Sequence, residues 1–374
     1  MNSTKTNKAP FPKALYVHIP FCQSICPYCD FPKVFYRSDW ANPYLDALFS
    51  EVAEREVGIV DTIYVGGGTP TSLSIDELHR LLEGLSPHLA PGGEFSFEAN
   101  PESFTEEKAK LLASFGVNRI SFGVQSFQGN MLETLGRKHT KADVIRAVGF
   151  AKEAGIPRIN LDMMFALPGQ TMEDLEKDIE EFLSLRVGHL SSYSLIVNPG
   201  CSYYVRKIPE RSEDDQAEMY QKVLSSFRKA GYSRYEFSNF ALPGEECRHN
   251  LTYWKDEEYY GVGLGAAGFV GGYRYSNTPS LSLYIKNKGK QKSSNTELTA
   301  DDLLSFLMCN LRLEKGFSFS RFANRFGQSL FELCPETSSL LKKGLLVIEG
   351  ENIHASDRGL MILDSIVLDL VRDN

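Results

Sequence analysis

From Ala14 to about Phe237 the chain alternates short apolar segments with amphipathic stretches of roughly ten to fifteen residues, and no other feature restricts the fold so strongly. Strand character falls at residues 14–19, 62–65, 94–98, 118–123, 158–164 and 189–195. Helical spacing falls at 43–57, after Ser74, and at 105–115, 140–154, 171–185 and 212–230. Ser74 with Glu77 reads as a capping box that opens the second helix. Such alternation predicts six βαβ units and a parallel sheet, whose ligands gather at the C-terminal ends of the strands.

Three thiols follow the first strand. Cys22, Cys26 and Cys29 stand in a C-x3-C-x2-C spacing, so one loop can wrap three sulfurs around a single inorganic centre. A structural zinc takes four protein ligands, and a typical four-iron, four-sulfur cluster takes four cysteines. Three thiolates would leave one iron open. A zinc knot completed by His18, or a disulfide within the triplet, are the alternatives. The other cysteines, Cys201, Cys247, Cys309 and Cys334, are too scattered for a second cluster and read as small buried residues, which fits a reducing cytosol.

The chain's 374 residues suggest about two or three domains. A net charge of −8 argues against a general nucleic-acid or anionic-membrane surface. Residues 1–13 read as a flexible N-terminus without a signal peptide, and no segment approaches the roughly 18 apolar residues of a membrane span. A cytoplasmic protein is expected.

The cysteine spacing, Tyr28 just before the third thiol and the preceding strand resemble the radical S-adenosylmethionine (SAM) superfamily. That resemblance implies a partial (β/α)6 barrel, a 4Fe-4S cluster on the three cysteines and SAM on the open iron. It also assigns strand-end residues to the cofactor. Tyr16, on the first strand, joins the cofactor-binding set, as do Gly67, Gly68 and Thr69 of Gly66-Gly-Gly-Thr-Pro70, whose backbone would hold the SAM amino group. Glu98 would accept the ribose hydroxyls, Gln125 ends the fourth strand, Arg137 suits the SAM carboxylate, and Asp162 is the matching acid on the fifth strand. Taken singly, each is equally readable as a salt-bridge, turn or solvated residue.

His-Ile-Pro-Phe-Cys, Gly-Val-Gln-Ser-Phe, Gly-Arg-x-His, Leu-Pro-Gly-Gln-Thr and Tyr235-Glu-Phe-Ser-Asn-Phe240 together resemble the coproporphyrinogen dehydrogenase group, with its HemN and HemW branches. The HemN branch carries a further cysteine two positions past the third, where this chain has Phe31 after Asp30. His249-Asn250-Leu-Thr-Tyr-Trp254 is similar to a HemW-type motif. The resemblance therefore implies a heme chaperone that binds heme and SAM and delivers heme to respiratory hemoproteins, membrane-bound ones included. His249 is the expected residue at the heme. The alternative is an oxygen-independent coproporphyrinogen III oxidase, and a third reading is a radical SAM enzyme with another substrate. An electron donor is implied if SAM is cleaved, a homodimer is left open, and nucleic acid is not expected.

By the same resemblance Ala267 stands where many members of that group carry a histidine, and Gly263-x-Gly-x-x-Gly268 lacks the βαβ setting of a dinucleotide fingerprint. Residues 238–260 read as a loop-rich bridge within a bridging segment of 238–298, with a lysine-rich solvated face at 281–295. Residues 299–374 read as a small winged-helix-like α+β domain, taken as a lid or docking domain, with helices at 301–311, 318–327 and 336–343, strands at 345–349 and 352–355, and a last helix from Asp357.

Overall fold

A computed structural model describes residues 11–290 and 302–372. Most of the expected flexible N-terminus, part of the lysine-rich face and the start of the 301–311 helix lie outside them.

All six expected strands form: β1 Ala14–Ile19, β2 Val60–Gly67, β3 Leu89–Ala99, β4 Arg119–Gln125, β5 Arg158–Phe165 and β6 His189–Ser194. They pair in chain order, all parallel. Three short strands extend the edges: β7 Ser233–Glu236, β8 Asn239–Ala241 and β9 Tyr260–Val262. The nine-stranded order is β9-β1-β2-β3-β4-β5-β6-β8-β7, with β9 parallel to β1, and β8 antiparallel to both β6 and β7. The sheet is thus the open (β/α)6 arrangement with extra edge strands.

Side-chain alternation gives this sheet two unlike faces. Ile63, Val65, Phe95, Phe97, Ile120, Phe122 and Leu161 share one buried apolar core with the covering helices. The intervening positions are polar and stand in register: Thr62 beside Glu94, Glu98 beside Ser121, Ser121 beside Asn160, and Asp162 beside Ser191. A polar interior facing an apolar jacket is the inverse of an ordinary sheet core, and it prepares the strand ends for a polar ligand.

The helices that follow these strands in alternation are α1 Ser38–Glu54, α2 Ile75–Leu85, α3 Glu106–Ser114, α4 Lys141–Glu153, α5 Met172–Ser184 and α6 Glu213–Lys229. Ser74 and Glu77 form the expected capping box, and Thr140 with Asp143 and Thr171 with Asp174 form two more. α1 begins five residues before the expected Pro43, which sits inside it. The expected loop-rich bridge is more ordered than its composition suggests: it contains β8 and a seven-residue helix, α7 Arg248–Trp254. The glycine-dense stretch after β9 forms a hairpin, β10 Ala267–Val270 with β11 Tyr273–Ser276.

The C-terminal part has its own core of Phe306, Phe317, Phe322, Leu340, Ile353 and Ile366. A helix at Asp302–Asn310 leads to three short antiparallel strands, Phe317–Ser318, Leu346–Glu349 and Asn352–Ala355, with helices between and after them. The helix Phe319–Phe326 is capped by Ser318 and ends on Gly327 at φ +73°. This small α+β unit docks on the sheet edge through a bridge between Glu236 and Leu313, and through Arg234, whose guanidinium pairs with Glu314 and Asp357.

Candidate cofactor-binding site

The C-terminal ends of β2 to β6 and the loop after β1 enclose a cavity of about 610 Å³. Cys22, Cys26 and Cys29 all line it. Their loop is closed at its base by parallel pairing of Phe21–Cys22 with Val34–Phe35, and the Cys29 amide donates to the Cys26 carbonyl at 3.2 Å. Every described cysteine is a free thiol. Burial pushes the Cys22 thiol up to about 11 and raises Cys29 as well, so a bound cation is what would draw these sulfurs into the thiolate form. Among the described residues no three His, Cys, Asp or Glu side chains converge tightly enough for one metal ion. All three thiols face the one cavity from a single loop. His18, the zinc alternative's fourth ligand, is engaged at both ring nitrogens, by Tyr16 Oη at 3.0 Å and the Pro32 carbonyl at 2.8 Å.

The glycine loop is pressed against the thiol loop. A Cβ on Gly68 would lie 2.7 Å from the Pro20 carbonyl and 2.9 Å from Cys22 Sγ. Gly67, at φ +118°, donates its N–H to Glu98 at 3.0 Å, and a Cβ there would strike the His18 ring at 2.6 Å. Thr69 Oγ1 lies 3.8 Å from Cys22 Sγ and accepts from Asn100 Nδ2 at 3.1 Å.

Two buried carboxyls line the cavity. Glu98 accepts from Tyr64 Oη at 2.8 Å, and burial with the neighbouring Asp162 charge pushes it up to about 7. Asp162 accepts from Asn160 Nδ2 at 2.7 Å and Ser121 Oγ at 3.3 Å, and burial lifts it to about 6. Both therefore favour a ligand that brings hydroxyl or ammonium donors. Arg137 donates to the Gly123 carbonyl at 2.7 Å and Asn100 Oδ1 at 2.9 Å, with Nη1 3.5 Å from Cys26 Sγ. Its Nε is buried without a partner. Gln125, held at φ +67° where β4 ends, accepts from Tyr193 Oη at 3.1 Å.

Residues 16–182 match the radical SAM superfamily, and residues 298–362 match the HemN C-terminal domain. The heme chaperone HemW of Bacillus subtilis (strain 168) is 41% identical over 366 residues, which covers 94% of this chain and 97% of that protein. The HemW of Lactococcus lactis subsp. lactis is 40% identical, covering 93% and 94% respectively. The chain belongs to the HemW family. A HemW from Escherichia coli is 32% identical across 95% of this chain. Coproporphyrinogen III oxidase (HemN) from Escherichia coli superposes with a TM-score of 0.83 over 96% of this chain and 90% of that one, at 24% identity, which establishes the shared fold. Superfamily membership implies a 4Fe-4S cluster and SAM, and the donor set fits both: three thiols lining one cavity with two carboxyls and an arginine.

Ten of the twelve residues singled out in this HemW-family sequence line the one cavity: the three thiols, Gly67, Gly68, Thr69, Glu98, Gln125, Arg137 and Asp162. Tyr16 and His249 are not brought to it. The Tyr16 ring stacks on Tyr64, with centroids 6.2 Å apart, and its hydroxyl meets His18. His249 is fully buried against the inner face, with Nδ1 on Thr62 Oγ1 at 2.8 Å and Nε2 on Tyr253 Oη at 2.7 Å. Burial drives its imidazole down to about 3, so it is neutral and its nitrogens are occupied. Its neighbour Asn250 lines the cavity instead. Ala267 is exposed on the hairpin, away from the cavity lining.

The structure adds a relay that residue-by-residue reading missed. Asn250 Nδ2 donates to Tyr235 Oη at 3.3 Å, and Tyr235 Oη meets His189 Nε2 at 2.9 Å. His189 Nδ1 meets Asn160 Oδ1 at 2.6 Å, and Asn160 donates to Asp162. Burial keeps His189 neutral, so its Nδ1 carries the proton and every donor points toward the Asp162 carboxylate. The period-two placement of Ser121, Asn160, Asp162 and His189 along the strands was the available signal.

Proposed function

We propose that this chain is a cytoplasmic heme chaperone, which binds heme and SAM with a 4Fe-4S cluster and hands heme to respiratory hemoproteins. Whole-length relatedness to proteins named as heme chaperones carries the reading, and the single cavity shared by the three thiols and the two carboxyls supports its cofactor part. Cys22, Cys26 and Cys29 would hold the cluster. With SAM bound, the cluster would supply one-electron chemistry at the sulfonium. Glu98 and Asp162 would accept ligand hydroxyls, Arg137 would face a carboxylate, and Gly67, Gly68 and Thr69 leave room for close backbone approach. With both His249 nitrogens engaged, Asn250 is the member of its motif nearest to a cavity ligand.

The coproporphyrinogen III oxidase alternative draws on the shared HemN fold. Phe31 in place of the oxidase branch's further cysteine speaks against it. The test is anaerobic. Reconstituted protein is titrated with heme and followed by absorbance, then mixed with an apo-cytochrome to measure transfer. A parallel sample receives reductant, SAM and coproporphyrinogen III. Heme binding and transfer without protoporphyrinogen supports the chaperone; protoporphyrinogen formation replaces it with the oxidase.

A further inference from the structure

Where the C-terminal unit meets the sheet edge, arginines are satisfied by carboxylates or carbonyls. Arg234 and Arg228 share Glu314 and Asp357; Arg274 and Arg325 share Asp256. Arg312 differs. Among the described residues its guanidinium makes no hydrogen bond or ion pair and lies over two aromatic rings instead, 5.1 Å from the Trp254 centroid and 5.9 Å from that of Phe237. It is only half-buried, so a solute can reach it.

The Trp254 ring beneath it carries the second observation. Its indole N–H is shut away from solvent with no acceptor, although indole nitrogens in such positions ordinarily find one. Trp254 stands four residues after Asn250 on α7, so the two share a helix face, and Asn250 lines the cavity. Ser238 and Asn239, beside Phe237 in sequence, line it as well. A guanidinium without a protein partner and a buried indole N–H without an acceptor thus sit together one helical turn beyond the cavity edge, on aromatic surface. Two aromatic side chains and a planar cation are the surroundings that suit a flat apolar ligand bearing an acidic arm.

We propose that Arg312, resting on the Trp254 and Phe237 rings, forms a carboxylate-binding station beside the cavity edge, and that it takes a propionate of the porphyrin. The proposal rests on the heme reading above. The competing anion is Glu236, fully buried, with one carboxyl oxygen on Asn239 and the other unpartnered; Arg312 and Arg234 partly offset the burial that raises its carboxyl, yet Arg312 forms no ion pair with it. A ligand carboxylate would give the guanidinium the planar partner that Glu236 does not supply.

The test compares heme with its dimethyl ester, which keeps the ring and iron but removes both propionate charges. Full-length reconstituted protein should bind heme about tenfold or more tightly than the ester, with an advantage that shrinks as salt rises. Arg312→Ala should reduce heme affinity to near that of the ester while leaving ester affinity unchanged, and Arg312→Lys should recover part of it. Equal binding of heme and ester by the unaltered protein would overturn the station without any variant being needed. So would an Arg312→Ala protein that still prefers heme by the original factor. A role confined to offsetting Glu236 would show as lost thermal stability with the preference retained, which also counts against the proposal. Failure of the unaltered protein to bind either compound would instead remove the heme reading itself.

Discussion

Arg119 and Glu94 are each 2% exposed, their Nε and Oε2 atoms 3.1 Å apart, in the polar interior at the opposite end of the strands from the thiols. Arg119 also donates to the Glu245 and Glu246 carbonyls, at 3.0 Å each, while Glu94 accepts the His249 amide at 3.0 Å and faces Cys247 Sγ at 3.4 Å. The pair is thereby the clamp that seats α7, and with it Asn250, against the sheet. Arg119→Met would keep most of the side-chain volume but leave a buried carboxylate and two carbonyls without their cation. Breaking a buried pair this way costs about 3–5 kcal/mol. The surviving His249 amide contact places the cost toward the lower end. Adding Glu94→Gln removes the stranded charge, so the double variant should be more stable than the single, by about 1–3 kcal/mol. Burial alone would raise the Glu94 carboxyl, but Arg119 and the backbone donors hold it below its usual range. The clamp's stability is therefore present above the unfolded carboxyl value of about 4.3 and is lost as pH falls through the lower folded value. Urea midpoints, followed by tryptophan fluorescence from near neutrality to acid, measure each claim. A single variant within about 1 kcal/mol of the parent, or a double variant less stable than the single, would refute the reasoning.

Glu98 has the opposite sign. Its folded value of about 7 exceeds the unfolded one, so in ligand-free protein its contribution is present at acid pH and is lost as pH rises from about 4 toward 7; Glu98→Gln should flatten that slope in a thermal melt series. Gly68→Ala places a methyl group against the Pro20 carbonyl and Cys22 Sγ, and should lower iron incorporation on reconstitution at a stability cost of about 1–3 kcal/mol. Normal iron content would show that the thiol loop has more freedom than the contacts allow. His249→Gln should cost about 1–3 kcal/mol through the Thr62 and Tyr253 contacts, yet leave the position of the bound-heme absorption band unchanged; a shifted band would make His249 a ligand after all.

The six long strands and their helices were legible because periodicity and capping act locally: Ser74 with Glu77 announces α2 whatever the rest of the chain does. The thiol triplet was legible for a different reason, since a shared inorganic centre constrains spacing along a single loop. β7, β8 and β9 were not, because three or four residues are too few to display a period of two, and their pairing is decided by distant partners. α7 escaped notice because Arg-His-Asn-Leu-Thr-Tyr-Trp mixes polar and aromatic residues without a clear apolar stripe, and its N-cap residue Cys247 makes no side-chain capping bond.

That unnoticed helix also explains why His249 does not line the cavity while its neighbour Asn250 does. In a helix, residues four apart share a face, so His249 goes with Tyr253 and Asn250 goes with Trp254. The sequence contains both pairs but does not say which one turns inward. Tertiary contacts decide it: Glu94 accepts the His249 amide, Thr62 takes its Nδ1, and the imidazole stacks on Tyr64 at 5.3 Å. Once that face is fixed, the adjoining face presents Asn250 to the cavity and Trp254 to Arg312. The motif therefore interleaves two sets of residues, one that fastens the helix to the polar interior and one left to meet a ligand. A histidine is well suited to the first task because, when neutral, it can donate from one ring nitrogen and accept at the other, satisfying two buried hydroxyls at once.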